Sequence, residues 1–207
     1  MEDFYTFNEE AASNADSSDQ VVLDTGVYKV KIVTASSTVA STGAKGIDWC
    51  VQLPGKKYPN MIYNMWVIKA NGDRIFNMDI VDSLMGLLKI KKLTIFDKTI
   101  DTKNGKKVVK AFKELDGKEC LVAIQKEFDF YGDKVKEKNN IKAFFGLDEK
   151  TYAENKGKKP AKQIKYYREK MNDNYTSSYK KQQAEEEAYV DNAADKNNEE
   201  ESDEGIL

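Results

Sequence analysis

Gly26-Val27-Tyr28-Lys29-Val30-Lys31-Ile32-Val33 is the stretch whose reading decides the fold. Tyr28, Val30 and Ile32 fall on one side of the chain and Lys29 and Lys31 on the other, the period of two that marks a half-buried β-strand. The same pattern returns in Ile47-Asp48-Trp49-Cys50-Val51-Gln52-Leu53, closed by Pro54-Gly55. There Trp49 shares a face with Ile47, Val51 and Leu53 and is expected inside. Between the two lies a Ser/Thr/Gly loop over 34–46, ending in Gly43-Ala44-Lys45-Gly46. A third strand is expected over about 61–69, ending at Asn71-Gly72, a strong hairpin signal. In it Tyr63, Met65 and Val67 oppose Ile62, Asn64, Trp66 and Ile68, and both faces are apolar.

The period then changes. Ile80, Val81, Leu84, Leu87 and Leu88 recur at helical spacing, which predicts a helix over about 78–89 with Asn77 or Asp79 as its cap. After Leu93-Thr94-Ile95-Phe96 and a Lys-rich turn around Asn104-Gly105, two further strands are expected, Glu119–Phe130 and roughly Val135–Phe145, turning at Tyr131-Gly132-Asp133. Five β-segments with one interposed helix predict a mainly β chain, a small, partly open five-stranded barrel of the OB kind, with a two-sheet sandwich as the alternative. Domain organisation follows composition. Residues 1–20 are expected to form a flexible acidic arm, 21–147 the β-domain, 148–182 a basic Tyr/Lys-rich extension, and 183–207 a disordered acidic tail. A short helix after Pro160 would place Ile164, Tyr167 and Met171 on one face.

The formal charge of −2 hides a segregation of sign. Residues 1–24 carry seven acids and no base, and 183–207 carry ten acids against Lys196. Residues 25–182 therefore hold 32 basic and 18 acidic side chains, a net of +14 between two acidic ends. Such a body concentrates polyanions at its surface, and a tethered −9 segment sees that surface at high effective concentration.

Catalysis finds little footing. The chain has no histidine, the commonest general base at neutral pH. It has no Walker loop, dinucleotide-binding turn, nucleophile elbow or Cys-x-x-Cys pair. Asp79 and Asp82, three apart, read as acids favoured at a helix N-terminus. Cys50 and Cys120 read as small core residues of a reducing compartment rather than a disulfide or metal pair. No catalytic residue, metal or cofactor is expected. No apolar run reaches membrane-spanning length and no secretory signal opens the chain, so a cytoplasmic setting without membrane contact is expected.

Lysine dominates the positive body; Arg74 and Arg168 are the only arginines. Readers of duplex bases favour arginine for bidentate contacts to guanine, whereas lysines neutralise phosphates without regard to sequence. Coating a single strand also needs flat side chains for unpaired bases, each worth roughly 1–3 kcal/mol. The β-region supplies Tyr28, Trp49, Tyr58, Tyr63, Trp66, Phe76, Phe128, Phe130 and Tyr131. Its candidate stacking residues are Tyr58, Tyr63, Trp66, Phe128, Phe130 and Tyr131. The phosphate-contacting candidates around them are Lys29, Lys31, Lys45, Lys57, Lys69, Arg74, Lys126 and Lys134.

These features together resemble the single-stranded DNA-binding proteins of tailed bacteriophages. The resemblance rests on the Gly-x-Tyr-x-Val strand (Gly26, Tyr28, Val30), a Ser/Thr-rich loop, and the strand start at Gly43, Gly46 and Ile47. Leu115, Gly117 and Lys118, a Leu-x-Gly-Lys entry to the next strand, and the acidic tail complete it. It spans about 21–147 and the terminus. It implies an OB fold that coats single-stranded DNA in the infected bacterial cell during phage replication, recombination and repair. It also implies a tail that contacts replication and recombination proteins, such as polymerase and helicase-primase. The tail residues concerned would be Glu199, Glu200, Glu201, Asp203, Glu204, Ile206 and Leu207. Tails of the family commonly finish on an aromatic residue, whereas this one finishes on Ile206-Leu207.

Two other classes fit the same residues: a protein-interaction adaptor or inhibitor of a host factor, and an RNA-binding OB protein. If the tail competes for the basic face, deleting residues 183–207 tightens binding to oligo-dT at low salt. Equal affinity of the full and shortened chains would contradict competition.

Overall fold

The computed structural model describes residues 22–56, 59–102, 105–131, 134–159 and 162–184. Within them lies a single, mainly antiparallel eight-stranded sheet with few helices. The strands are β1 (Gly26–Val39), β2 (Lys45–Gln52), β3 (Asn60–Ile68), β4 (Ile95–Thr102), β5 (Gly105–Phe112), β6 (Glu119–Tyr131), β7 (Lys134–Phe145) and β8 (Asn174–Tyr175). Helix α1 (Asn77–Leu87) separates β3 from β4, and α2 (Tyr152–Asn155) and α3 (Gln163–Glu169) follow β7. A last helical run covers 177–184.

β1 organises the sheet. Its first half pairs with β6, from Gly26↔Ile124 to Lys31↔Glu119, while Lys31↔Gln52 through Val39↔Lys45 pair it with β2. Near its far end Ser36 also meets Ala111 of β5. An irregularity between Ile32 and Thr34 shifts the β1–β2 register. An extra residue of this kind bends the strand and changes which residues face inward. Before it Val30 and Ile32 are buried in the core; after it Ala35, opposite Trp49, takes that role.

The core forms on the inner side of this bend. Ile47, Trp49 and Val51 from β2, Met65 and Val67 from β3, and Ile80, Val81 and Leu84 from α1 bury there with Phe144 of β7. The Trp49 and Phe144 rings lie 5.2 Å apart at 48°. Both faces of β3 read as apolar, and burial decides between them: Met65 and Val67 point inward, while Trp66 on the other side is half-buried.

β6 differs from the alternating strands. Cys120, Leu121, Val122, Ala123 and Ile124 are all buried, because the extension covers its second face. Ile164, Tyr167 and Met171 pack there against Leu121, Ala123 and Phe145. A strand covered on both sides has no solvated face to mark with polar residues, hence the continuous apolar run.

Several expectations are corrected, and the loop expected over 34–46 is strand through Val39 and again from Lys45. The count of strands is eight among the described residues, not five, because the Lys-rich turn belongs to a complete hairpin. β4 and β5 pair at eight positions, from Ile95↔Phe112 to Thr102↔Gly105. Neither Asn77 nor Asp79 caps α1: no side chain bonds its N-terminus, the Asn77 amide donates to the Trp66 carbonyl at 3.0 Å, and Asp79 pairs with Arg74. The helix ends at Leu87, since Lys89 turns left-handed at φ 57°. The sheet also stays open among the described residues. β3 lies alongside β7 without a ladder, and a polar cavity of about 180 Å³ lined by Asn64, Asn77, Asn139 and Asn140 separates them. No helix among the described residues is long and apolar enough to cross a membrane.

Candidate nucleic-acid interface

The outer face of β1–β2–β3 carries the residues that alternate with the core. In antiparallel pairing, directly opposed residues share a face. Thr34 opposite Cys50, and Ser36 opposite Asp48, therefore point outward, as do Gln52 and Lys31. Trp66 lies opposite Gly46, and a Cβ on Gly46 would come within 3.0 Å of the indole. Glycine there lets the ring lie down on the neighbouring strand. The chain returns along β3 through Ile75 N–H to the Val67 carbonyl at 2.9 Å and the Asn77 amide to the Trp66 carbonyl. These two bonds bracket Phe76, whose side chain is 74% exposed.

The β4–β5 hairpin walls this face. Lys98 donates to the Val33 carbonyl at 2.7 Å and pairs with Asp116 at 2.5 Å. A groove of about 380 Å³ results, lined by Lys31, Val33, Gln52, Lys98, Asp116 and Gly117. Burial raises the Asp48 carboxyl above its ordinary range, against the opposing pull of the Asn64 side chain and the Lys107 ammonium. Lys107 thus reaches the same face from β5. Burial pushes the Cys50 thiol up to about 11, with Lys98 opposing, so Cys50 is a half-buried thiol of this face rather than a core residue. Cys120 is buried in the core and pushed up to about 12 by that burial.

The sequence-chosen residues divide into several groups. Lys31 and Trp66 sit on the outer face, and Lys69 follows in the turn that leaves β3, whereas Lys45, opposite Val39, shares the parity of the core-facing Ile47, Trp49 and Val51 at the start of β2. Lys29 is paired with Glu119 at 3.3 Å, and Arg74 is held by Asp82 at 2.6 Å and Asp79 at 3.2 Å. Lys126 pairs with Glu137 at 2.8 Å and lies 5.0 Å over the Phe128 ring. Lys134 is exposed at the end of the β6–β7 hairpin. Lys57, Tyr58 and tail residues Glu199, Glu200, Glu201, Asp203, Glu204, Ile206 and Leu207 lie outside the described residues, as do the side chains of Tyr63 and Tyr131. Lys98, Lys107 and Phe76 were not among the chosen residues. The lysines belong to a ribbon that buries little and so carries no clear period of two in the residues over 96–109.

Phe128 and Phe130 are already occupied. β8 runs parallel to β6, setting Tyr175 beside Phe128 with the rings stacked at 5.0 Å and 9°. Tyr179 covers both rings, at 6.0 Å from Phe128 and 6.2 Å from Phe130. Asn174 donates to Glu127 at 2.6 Å, and the Thr176 hydroxyl donates to Asp129 at 2.8 Å while accepting the Tyr179 N–H at 3.3 Å. The hydroxyl of Thr25 donates to Asp173 and accepts the Lys126 N–H, tying the start of β1 to the same segment. These phenylalanines therefore hold the extension down in this structure rather than facing solvent.

No group of three His, Cys, Asp or Glu side chains suited to a metal ion occurs among the described residues. The chain matches no known protein-family model, and no curated protein is significantly similar to it.

Carboxylates hold the extension, and their titration gives a test. The Thr176 hydroxyl lowers the Asp129 pKa, and the Arg168 guanidinium, bidentate at 2.7 and 3.0 Å, lowers that of Glu149. Burial raises that of Glu154, but the N–H groups of Gln163, Thr151 and Lys162 outweigh it and the net direction is downward. Groups with depressed folded pKa values stabilise above the unfolded value, about 4, and lose that contribution as pH falls through the folded value. Between pH 7 and pH 3, hydrogen exchange at residues 174–180, corrected for intrinsic rates, should accelerate well before exchange in β1–β2. Simultaneous loss of protection in both regions would contradict this.

Proposed function

We propose that the chain is a non-enzymatic single-stranded DNA-binding protein that coats its ligand through the outer face of β1–β3 and the β4–β5 wall. The observation that carries the reading is that face. The outer sheet face offers a partly exposed tryptophan opposite Gly46 toward one end, Lys31 and Lys98 around Gln52 toward the other and Lys107 acting on Asp48 between them, with exposed Phe76 following β3, on a segment of net charge +14. Such a surface supplies flat rings for bases and point charges for phosphates, with little that could read base identity.

The topology is consistent with an OB-type scaffold. β1–β2–β3, α1 and the β6–β7 hairpin follow the strand order of a five-stranded Greek-key barrel, with β1 pairing β6 and β3 lying beside β7. In this reading the β4–β5 hairpin is an insertion between helix and fourth barrel strand that deepens the binding face. The phage setting, the role in replication, recombination and repair, and the tail's contact with polymerase or helicase-primase rest on the sequence resemblance alone.

A fluorescence titration tests the proposal. Trp66 emission should be quenched by poly-dT, with affinity falling steeply as salt rises. Trp66→Ala should weaken binding about tenfold, the scale of one lost stacking contact, and Lys31→Ala with Lys107→Ala by several-fold. Tighter binding to poly-U would assign the face to RNA, and preference for duplex would remove the stacking argument. No binding to any of the three would leave a protein-interaction role.

A further inference from the structure

Gly86 brings two lysine runs together. α1 exits through Lys89-Ile90-Lys91-Lys92 and α2 through Lys156-Gly157-Lys158-Lys159, the same Lys-x-Lys-Lys pattern twice. Tyr152 lies so close against Gly86 that a Cβ there would fall 2.7 Å from a ring carbon, so a residue without a side chain is what lets the two helices touch. The Lys89 N–H donates to the Gly86 carbonyl at 3.3 Å, and Lys156 Nζ sits 5.6 Å from the centre of the Tyr152 ring. Both runs therefore leave from one contact.

All six lysines are exposed, and none forms an ion pair among the described residues. The neighbouring acids are engaged elsewhere. Glu149 grips Arg168, and Glu154 turns inward to accept the N–H groups of Thr151, Lys162 and Gln163. Glu114 accepts the Thr94 N–H at 2.7 Å, which with a smaller pull from the Lys92 ammonium holds its carboxyl below the usual range. Attraction of cations to helix C-termini is confined to the last turn. It leaves Lys91, Lys92, Lys158 and Lys159 without a reason to gather, since like charges in one patch destabilise the fold.

We propose that this Gly86–Tyr152 patch is a second phosphate-binding surface, engaging the backbone of a single strand too long for the sheet face alone. The inference rests on the reading of the sheet face given above. The Tyr152 ring packs against Gly86 and has the Lys156 ammonium 5.6 Å from its centre, so the patch offers six charges against one partly engaged ring and holds backbone rather than bases.

The test compares fluorescein-labelled oligo-dT of about 8 and about 40 nucleotides, short and long against the ~4–16 nucleotides one OB fold covers. It uses the full chain and a variant carrying Lys91→Gln, Lys92→Gln, Lys158→Gln and Lys159→Gln. Affinity for the short oligomer should stay within twofold. For the long one it should fall about tenfold at low salt, and its log K against log salt slope should flatten by about 2–3, near 0.7 per lost phosphate contact. Equal losses at both lengths, or none at either, would overturn the patch while leaving the sheet-face reading intact. Failure of the unmodified chain to bind either oligomer would overturn both. An unchanged DNA slope, with lost affinity for a synthetic 183–207 peptide, would assign the patch to an acidic peptide and overturn the proposal.

Discussion

The structure depends on β1 bonding along both edges while bending in the middle. On one edge it holds β2 and, through β2, β3; on the other it holds β6 and then touches β5. A straight strand cannot bury Val30 and Ile32 in the same core as Ala35, because their parity differs; the irregularity between Ile32 and Thr34 makes it possible. The same bend directs Thr34 and Ser36 outward beneath the β4–β5 hairpin, where both are nevertheless buried. One local change of register thus produces the core and the walled outer groove together.

Much of this was legible. The alternation around Tyr28–Ile32 and Ile47–Leu53 located β1 and β2 and put Trp49 inside, because one solvated face leaves a period of two in the residues. The helical spacing of Ile80, Val81 and Leu84 located α1. Two things were not legible. The β4–β5 ribbon buries little: Val108 and Ile95 are exposed and Ala111 is its one fully buried described side chain. Without a buried face, period and composition resemble those of a charged turn. Occupancy of Phe128 and Phe130 was also hidden, since it depends on Tyr175 and Tyr179, more than forty positions away, arriving by a parallel pairing that leaves no local signal.

That occupancy shifts the candidate interface. Stacking residues picked for their place at a hairpin end serve here as an anchor for the extension. The free aromatic character lies instead with Trp66, on the outer face opposite Gly46, and with exposed Phe76, while the lysines of that face come from strands distant in sequence. Arg74 illustrates the same point: its guanidinium is spent on Asp79 and Asp82, while Lys31 has no ion pair among the described residues and lines the groove. Residue type nominated the chemistry, but pairing decided which charges are available.

The central claim is that a single strand lies on the outer face of β1–β3 against the β4–β5 wall. Photo-crosslinking the full chain to oligo-dT carrying 4-thiothymidine, with the adducts mapped by mass spectrometry, tests it most directly. Adducts should concentrate at Trp66, Phe76 and the peptides of β4–β5. Adducts confined to Phe128, Phe130, Tyr175 and Tyr179 would place the strand on the β6–β7 hairpin and contradict the account.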